Sequence, residues 1–499
     1  MTGAREPGAG VREQQSAGAV YERGRTSEYG LGGNRPVQAS PTGTPTARPD
    51  AGYSRIAVIG MGRTGEAVLR CPVLAGAEKV VVDDGPSSVA RGRAADIGVA
   101  LVEAPPPSEL RRIVAWAELV VVSPGVPLRH PVFSLAGDAE IVSEVELASR
   151  LVDVPLVAVT GTNGKTTVAT LVSAMLNQAG LRAVTAGNIG TPLISLVGTA
   201  ADRIVVEVSS FQLALCSTFR PAVATWLNLS PDHLDWHPDM DHYVASKERI
   251  WYNQRGEDMA IGNAEDPVVF TALARAPARR ISFGCGVGDW RIERGSLVGP
   301  DAGAFLAADD LWRSMPADRL NALAAAATAH AAGAGADAAA VVLRTFGGLP
   351  HRVEAVGTVG GITYYDDSKA TTPHAVLSAL SGFGSVVLLA GGRNKGLDLS
   401  VLASEAGRLR AVVCFGEAAR DVAQVFAGPA APAGPAGPVV RIAGSMEEAV
   451  RTAAGLAVAG DSVLLSPGCA SFDQYGSYGE RGDDFAACVR RMATEEGSP

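Results

Sequence analysis

Val157-Ala-Val-Thr-Gly-Thr-Asn-Gly-Lys-Thr-Thr167 begins as an apolar run of the kind that forms a buried strand and empties into a glycine turn closed by Lys165 and two threonines. Gly161 and Gly164 let the backbone fold tightly enough to aim several N–H groups at one point. The helix expected from Thr167 to about Ala179 adds its positive N-terminal end, Lys165 adds a point charge, and the Thr166 hydroxyl can ligate Mg2+. Gly161, Thr162, Asn163, Gly164, Lys165, Thr166 and Thr167 are therefore expected to cradle nucleotide phosphates. Val159 stands where the first glycine of G-x-x-x-x-G-K-[ST] would fall, so the turn is a variant of that pattern.

Working outward, short Val/Ile/Leu runs alternate with Ala-rich helical segments: Arg55–Ile59, Val80–Val82, Leu119–Val122, Leu156–Val159, Ile204–Val208, Ala222–Leu227, Ser385–Ala390, Ala411–Phe415 and Ser462–Leu465. Continuous apolar runs followed by helices predict parallel sheets covered on both faces, an α/β fold. The expected organisation is a disordered tail (1–52), then three domains at 53–150, 151–348 and 349–499. The tail is rich in Gly, Ala, Arg, Ser, Thr and Pro and lacks apolar periodicity, so it cannot bury enough surface to offset ordering. A second biased stretch, 427–438, reads as an expanded surface loop.

The 499 residues carry a net charge of −9 with 47% apolar side chains, which argues against general attraction to nucleic acid or anionic membrane. Six scattered cysteines form no C-x-x-C pair, which fits a reducing, cytoplasmic setting without disulfides or structural zinc. No run approaches the length of a membrane span, and no secretory leader is visible.

A second glycine motif, Gly60-Met-Gly62-Arg-Thr-Gly65, follows the strand Arg55–Ile59, with Asp83 and Asp84 about twenty positions on. The pattern suits NAD(P), and an oxidoreductase is one reading. The same backbone also holds any nucleotide diphosphate. A UDP-type ligand here and ATP at the second loop account for both motifs, whereas a dehydrogenase leaves the loop at 161–167 without a purpose.

Further motifs extend the pattern: Glu207-Val-Ser-Ser-Phe-Gln-Leu213, Asn228-Leu-Ser-Pro-Asp-His-Leu-Asp235, His351-Arg-Val-Glu354, Asp366-Asp-Ser-Lys-Ala-Thr371, Gly391-Gly-Arg-Asn-Lys395 and Leu465-Ser-Pro-Gly-Cys-Ala-Ser-Phe-Asp-Gln474. In order and spacing, with the phosphate loop, they resemble the Mur ligases of peptidoglycan synthesis. Asp-Ser-Lys-Ala-Thr and Ser-x-Asp-Gln are most similar to the D-glutamate-adding branch. The resemblance implies a Rossmann-like N-terminal domain for a UDP-sugar, a central P-loop ATPase-type domain and a Rossmann-like C-terminal domain for the amino acid. It implies an ATP-dependent ligase joining D-glutamate to UDP-N-acetylmuramoyl-L-alanine through an acyl phosphate, active as a cytoplasmic monomer. A non-catalytic nucleotide sensor is the competing class, and retention of Lys165, Glu207, His233, Lys247 and Lys369 speaks against it.

Carried over by motif, Thr166 and Glu207 are expected to serve a first Mg2+, and His233 a second. Lys247, in Tyr243-Val-Ala-Ser-Lys-Glu-Arg-Ile250, read bare is a solvated helix lysine; in the family position it is carbamylated and bridges to metal. Asn263 resembles an adenine-contacting Asn, with an Asn-led turn as the alternative, and Asn321 reads as structural. Arg352 suits the transferring phosphoryl, Asp367 ribose or metal-bound water, and Lys369 the acyl phosphate. Arg63, Thr64, Asp84, Ser123, Gly187 and Asn188 are implied at the UDP-sugar. His233, Thr371, Lys395, Ser471, Phe472 and Tyr478 are implied around the acceptor and D-glutamate. Three positions depart from the family pattern: Arg393, Thr372 and Gly85. Arg393 is expected to make the amino-acid pocket more cationic, and Gly85 bears on the uracil contact.

Overall fold

The computed structural model describes residues 52–135, 137, 139–188, 190–427 and 437–496. Residues 1–51 of the expected tail and 428–436 of the expected loop lie outside them. Three sheets follow one another along the chain, as the continuous apolar runs predict. The first has five parallel strands in the spatial order Ala100–Glu103, Glu78–Asp83, Arg55–Ile59, Leu119–Val122 and Glu140–Ser143. The second has six parallel strands in the order Arg279–Phe283, Met259–Asn263, Val223–Trp226, Leu156–Thr160, Arg203–Glu207 and Ala183–Gly187. The third runs Glu354–Val359, Ile362–Asp366, Ser462–Gly468, Val386–Gly391, Leu409–Phe415 and Val439–Ile442, parallel except for its first strand.

In the first two sheets the crossovers turn to opposite sides at one strand, Arg55–Ile59 in the first and Leu156–Thr160 in the second, and ligands of such sheets bind beyond the carboxyl end at that point. In the third, the last strand of the chain, Ser462–Gly468, is inserted between Ile362–Asp366 and Val386–Gly391. Each of these three strands is followed directly by one of the motifs: Gly60–Gly65, Gly161–Thr167 and Gly468–Gln474.

Packing explains the composition of the second unit. The helix Lys165–Gln178 lies against Pro316–Ala331, whose alanines 322 and 324–327 are buried and let the two backbones approach. Two antiparallel features were not expected. Gly360 and Gly361, both at positive φ, close a hairpin that makes Glu354–Val359 an antiparallel edge, the turn geometry that Gly-Gly permits. A three-stranded sheet at Arg291–Glu293, Ser296–Gly299 and Gly303–Ala307 covers part of the second unit. Among the described residues no helix is long and apolar enough to cross a membrane.

Candidate active site

The phosphate loop is built from its neighbours. Gly164 sits at φ +83, and a Cβ there would lie 2.5 Å from Asn321 Oδ1, so both backbone and space demand glycine. Asn228 Oδ1 accepts the N–H groups of Thr162 (3.1 Å) and Asn163 (2.9 Å), and its Nδ2 donates to Asn163 O (3.1 Å). These two amides are thus held by protein. The donors left facing outward are those of the first turn of the helix beginning at Lys165, which have no intrahelical partner.

Lys165 Nζ donates to Gly161 O and Thr162 O, both at 2.9 Å. Thr166 Oγ1 donates to Glu207 Oε2 at 2.8 Å and accepts from Arg352 at 2.7 Å, while Asn188 Nδ2 donates to the other Glu207 oxygen at 3.1 Å. Residues from the second and third units therefore meet on one hydroxyl. Gly187 precedes Asn188 at φ +107, where a Cβ would fall 2.2 Å from Glu207 O.

Lys247 is buried on the helix Met240–Tyr252; its Nζ donates to Gly161 O at 2.8 Å and lies 4.8 Å from the Tyr243 ring centroid. Burial, and then the charge of Lys165, push its pKa well below the usual lysine range. His233, at φ +57 beside Asp232, is lowered by burial, with Lys165, Lys247 and Lys395 adding to the effect against Asp232. Arg352 is lowered by burial and supported by Glu207 and Asp367. Burial raises Asp367 to about 7 although Ser466 Oγ donates to it at 2.7 Å. Lys369 sits 3.7 Å over the Tyr478 ring and is lowered to about 8, first by burial and then by Arg352. Such crowding of cations around few carboxylates suits ligands carrying several negative charges.

Beyond the first sheet a cavity of about 740 Å3 is lined by Gly60, Gly62, Arg63, Thr64, Asp84, Ser123, Gly187, Asn188, Lys369 and Tyr478, so all three units contribute. Ser123 Oγ donates to Gly60 O at 3.0 Å and Arg63 to Gly190 O at 3.1 Å. Gln212, which the Glu207–Leu213 motif contains but to which no role was given, also lines it, as does His130, which no motif contains. His130 Nδ1 accepts Val132 N–H, so its Nε2 carries the proton and donates to Asp84 Oδ2 at 3.1 Å. Asp83, rather than Asp84, serves the backbone, accepting from Met61 N and Gly85 N.

A second cavity, about 270 Å3, opens beside the phosphate loop between Asn163, Gly164, Thr167, Asn228, Asn321, Arg352, Asp367 and Lys369. Asn263 is not among its lining residues. Its Nδ2 donates to Leu227 O at 3.0 Å and its Oδ1 accepts Glu265 N–H at 2.9 Å. The Asn-led turn is what the geometry shows, and the amide at the cavity is Asn321, expected to be structural.

The remaining expected residues gather at the carboxyl ends of the third sheet. Gly468 N donates to Ala370 O, and Arg393 and Ala470 exchange backbone bonds, which brings Thr371, Lys395 and Ser471 to neighbouring strand ends. Ser471 is buried, whereas Lys395 and Phe472 are exposed. Arg393 does not leave this region more cationic: its guanidinium makes two 3.0 Å bonds to Glu417. Thr372 caps the helix Pro373–Leu380 through Ala375 N. Arg481, also missed, is fully buried and donates to Ser368 Oγ, Ser368 O and Cys469 O, joining the Lys369 turn to the Ser471 loop.

A model of the Mur ligase middle domain matches residues 159–303, and one of the Mur ligase, glutamate ligase domain matches 351–469. The UDP-N-acetylmuramoylalanine–D-glutamate ligase of Methylococcus capsulatus is 41% identical over 455 residues, covering 88% of this chain and 95% of that protein. The protein of the same name from Frankia casuarinae is 41% identical over 452 residues, covering 87% and 93%. Among solved structures, a type C pseudomurein peptide ligase from Methanothermus fervidus shares the fold at TM-score 0.56 and 18% identity, covering 88% of this chain and 100% of that one. A UDP-N-acetylmuramate–alanine ligase from Thermotoga maritima does so at TM-score 0.55 and 17% identity, covering 88% and 100%.

Proposed function

This chain belongs to the Mur ligase family, and from that premise we propose that it joins D-glutamate to UDP-N-acetylmuramoyl-L-alanine with cleavage of ATP to ADP and phosphate. The observation that carries the reading is the meeting of three strand edges on one space. Arg352 of the third unit bonds Thr166 of the phosphate loop, and Lys369 and Tyr478 line the same cavity as Gly60 and Ser123. The domain assignment follows: 53–150 for the UDP-sugar, 151–348 for ATP and 349–499 for the amino acid.

The substrate carboxylate attacks the γ-phosphoryl group and ADP leaves; the neutral amine of D-glutamate then attacks the acyl carbon of the resulting acyl phosphate, phosphate leaves with the electron pair of the broken C–O bond, and the nitrogen gives up one proton to the departing phosphate or to water. Both halves concentrate negative charge, so positioning and preorganised cations do most of the work. Lys165 faces the nucleotide phosphates, Arg352 the transferring group and Lys369 the acyl phosphate. Asp367, held by Ser466 and Val353 N–H, is placed for the ribose. Thr371, Lys395, Ser471 and the backbone at Phe472 receive the two carboxylates of D-glutamate.

Thr166 Oγ1 and Glu207 Oε2, 2.8 Å apart, offer hydroxyl and carboxylate donors that fit a first Mg2+, and the His233 imidazole would serve a second. When bound, Mg2+ supplies charge neutralisation for the phosphates. Lys247 completes the set as a carbamate: the ammonium gives one proton to water, the neutral amine nitrogen then attacks CO2 and a second proton leaves to water, so that a buried cation beside Lys165 becomes an anion.

Phosphate release that needs ATP, Mg2+, the UDP-sugar and D-glutamate together tests this reading; release with any one omitted overturns it. Asn321→Ala is expected to raise the KM for ATP about tenfold, the loss of roughly one well-made hydrogen bond. Asn263→Ala is expected to leave that KM alone and lower stability by about 1–3 kcal/mol, because it strips a buried turn of its amide. A rise in KM for Asn263→Ala without one for Asn321→Ala would reverse the assignment. A further expectation concerns pH. Lys369 is charged below about 8 and loses its proton above, so kcat/KM should fall on that alkaline limb. In Lys369→Arg the limb should move beyond pH 10, and an unchanged limb would detach it from Lys369.

A further inference from the structure

The stretch Trp236-His237 follows the Asp232–Asp235 motif, and nothing in the reaction above uses it. His237 is 1% exposed, and both ring nitrogens are occupied by side chains from other elements: Nε2 contacts Ser210 Oγ at 2.9 Å and Nδ1 contacts His242 Nδ1 at 2.8 Å. Its own backbone N–H donates to His233 O at 2.9 Å.

We propose that His237 is a positioning residue that holds Glu207, His233 and Lys247 in mutual register by bridging Ser210 and His242. The inference rests on the reading that those three residues face metal and phosphate. Ser210 opens the short helix Ser210–Ala214, three residues past Glu207. His242 lies on the helix Met240–Tyr252, which carries Lys247, and its carbonyl accepts from Ser246 Oγ at 2.6 Å. The adjacent Tyr243 hydroxyl lies 3.0 Å from Thr162 Oγ1, so the same helix is fastened to the phosphate loop. The His237 imidazole therefore stands where the Glu207 turn, the His233 loop and the Lys247 helix meet.

Packing alone does not require histidine here. The ring lies 4.6 Å from Trp236 and 4.9 Å from Tyr243, contacts that a phenyl ring would keep. A neutral imidazole adds one donor and one acceptor on opposite sides. If Nε2–H donates to Ser210, Nδ1 accepts from His242 Nδ1–H; the opposite tautomer reverses both bonds. Either way both ring nitrogens are engaged, one toward Ser210 and one toward His242. A buried bridge of this kind fixes direction as well as distance, which apolar contact does not.

The test is Mn2+ affinity in the presence of ADP, read from the free-ion paramagnetic resonance signal, for wild type, His237→Phe, Ser210→Ala, the double variant and Glu207→Gln as reference. Metal-free ADP affinity and melting temperature are measured alongside. His237→Phe should weaken Mn2+ binding about tenfold, within the range for supporting residues of metal sites. Ser210→Ala should weaken it less, and the double variant should match His237→Phe, since the one bond that Ser210→Ala removes is among the two that His237→Phe removes. Metal-free ADP affinity should be unchanged. If His237→Phe fails to fold, Ser210→Ala carries the test. Mn2+ binding within twofold of wild type in the His237 or Ser210 variants, with Glu207→Gln impaired, overturns the positioning role. Unimpaired Glu207→Gln overturns the metal reading beneath it and this inference together.

Discussion

Lys165→Ala is expected to lose at least about a hundredfold in kcat while melting close to wild type. The magnitude is that of removing one preorganised charge stabiliser from an active site. The ammonium is placed by two carbonyls of its own loop at 2.9 Å, so it is fastened to the turn that opens onto the nucleotide cavity. Glu207 and Asp232 support its charge against burial, while Arg352 and Lys369 oppose it. A group with so many like-charged neighbours does little for stability and much for an anionic ligand. Activity within about threefold of wild type would contradict the phosphate role, and a large fall in melting temperature would make the lysine structural.

Lys247→Ala separates two accounts of the same buried nitrogen. As a plain ammonium it is taken out of water beside Lys165 with Gly161 O accepting its proton, an arrangement that costs more than it returns. Removing it should then leave the fold as stable or more so. As a carbamate it balances metal charge, and its removal should reduce turnover at least about a hundredfold, the scale for losing a charged group that acts on the transition state. Millimolar formate or acetate should restore part of that activity by returning one carboxylate to the vacated volume. Full activity in Lys247→Ala, or no response to either acid, would remove the carbamate and leave Thr166, Glu207 and His233 as the protein's metal ligands.

Legibility in the sequence followed how local each signal is. Leu156–Val159 and Arg55–Ile59 read as strands because buried parallel strands are continuously apolar, and the structure has strands at Leu156–Thr160 and Arg55–Ile59. The edge strand Glu354–Val359 carries exposed Glu354, Ala355 and Thr358 and lacks that pattern, so its antiparallel pairing was not visible. Asn321 was invisible for another reason. Within the helix Pro316–Ala331, just ahead of Ala322, it looks like any helix residue, and only the packing of that helix against Lys165–Gln178 brings its amide to Gly164. Asn263 was ambiguous because an amide after a strand serves a base edge and a turn equally well, and the fold gives it bonds to Leu227 and Glu265 that no spacing reveals. Arg393 and Glu417 are 24 residues apart, and their pairing needs the sheet that brings Gly391 beside Phe415. His237 and Arg481 act through bonds to distant segments, and no spacing rule reveals those.

The central claim is that a substrate carboxylate is phosphorylated at the Lys165 loop and handed to D-glutamate. Transfer of 18O from the labelled L-alanine carboxylate of UDP-N-acetylmuramoyl-L-alanine tests it most directly, with D-glutamate, meso-diaminopimelate and L-alanine offered singly beside ATP and Mg2+. The account predicts one labelled oxygen in each phosphate released and multiple turnovers with D-glutamate alone. Unlabelled phosphate, or equal turnover with meso-diaminopimelate or L-alanine, would contradict it.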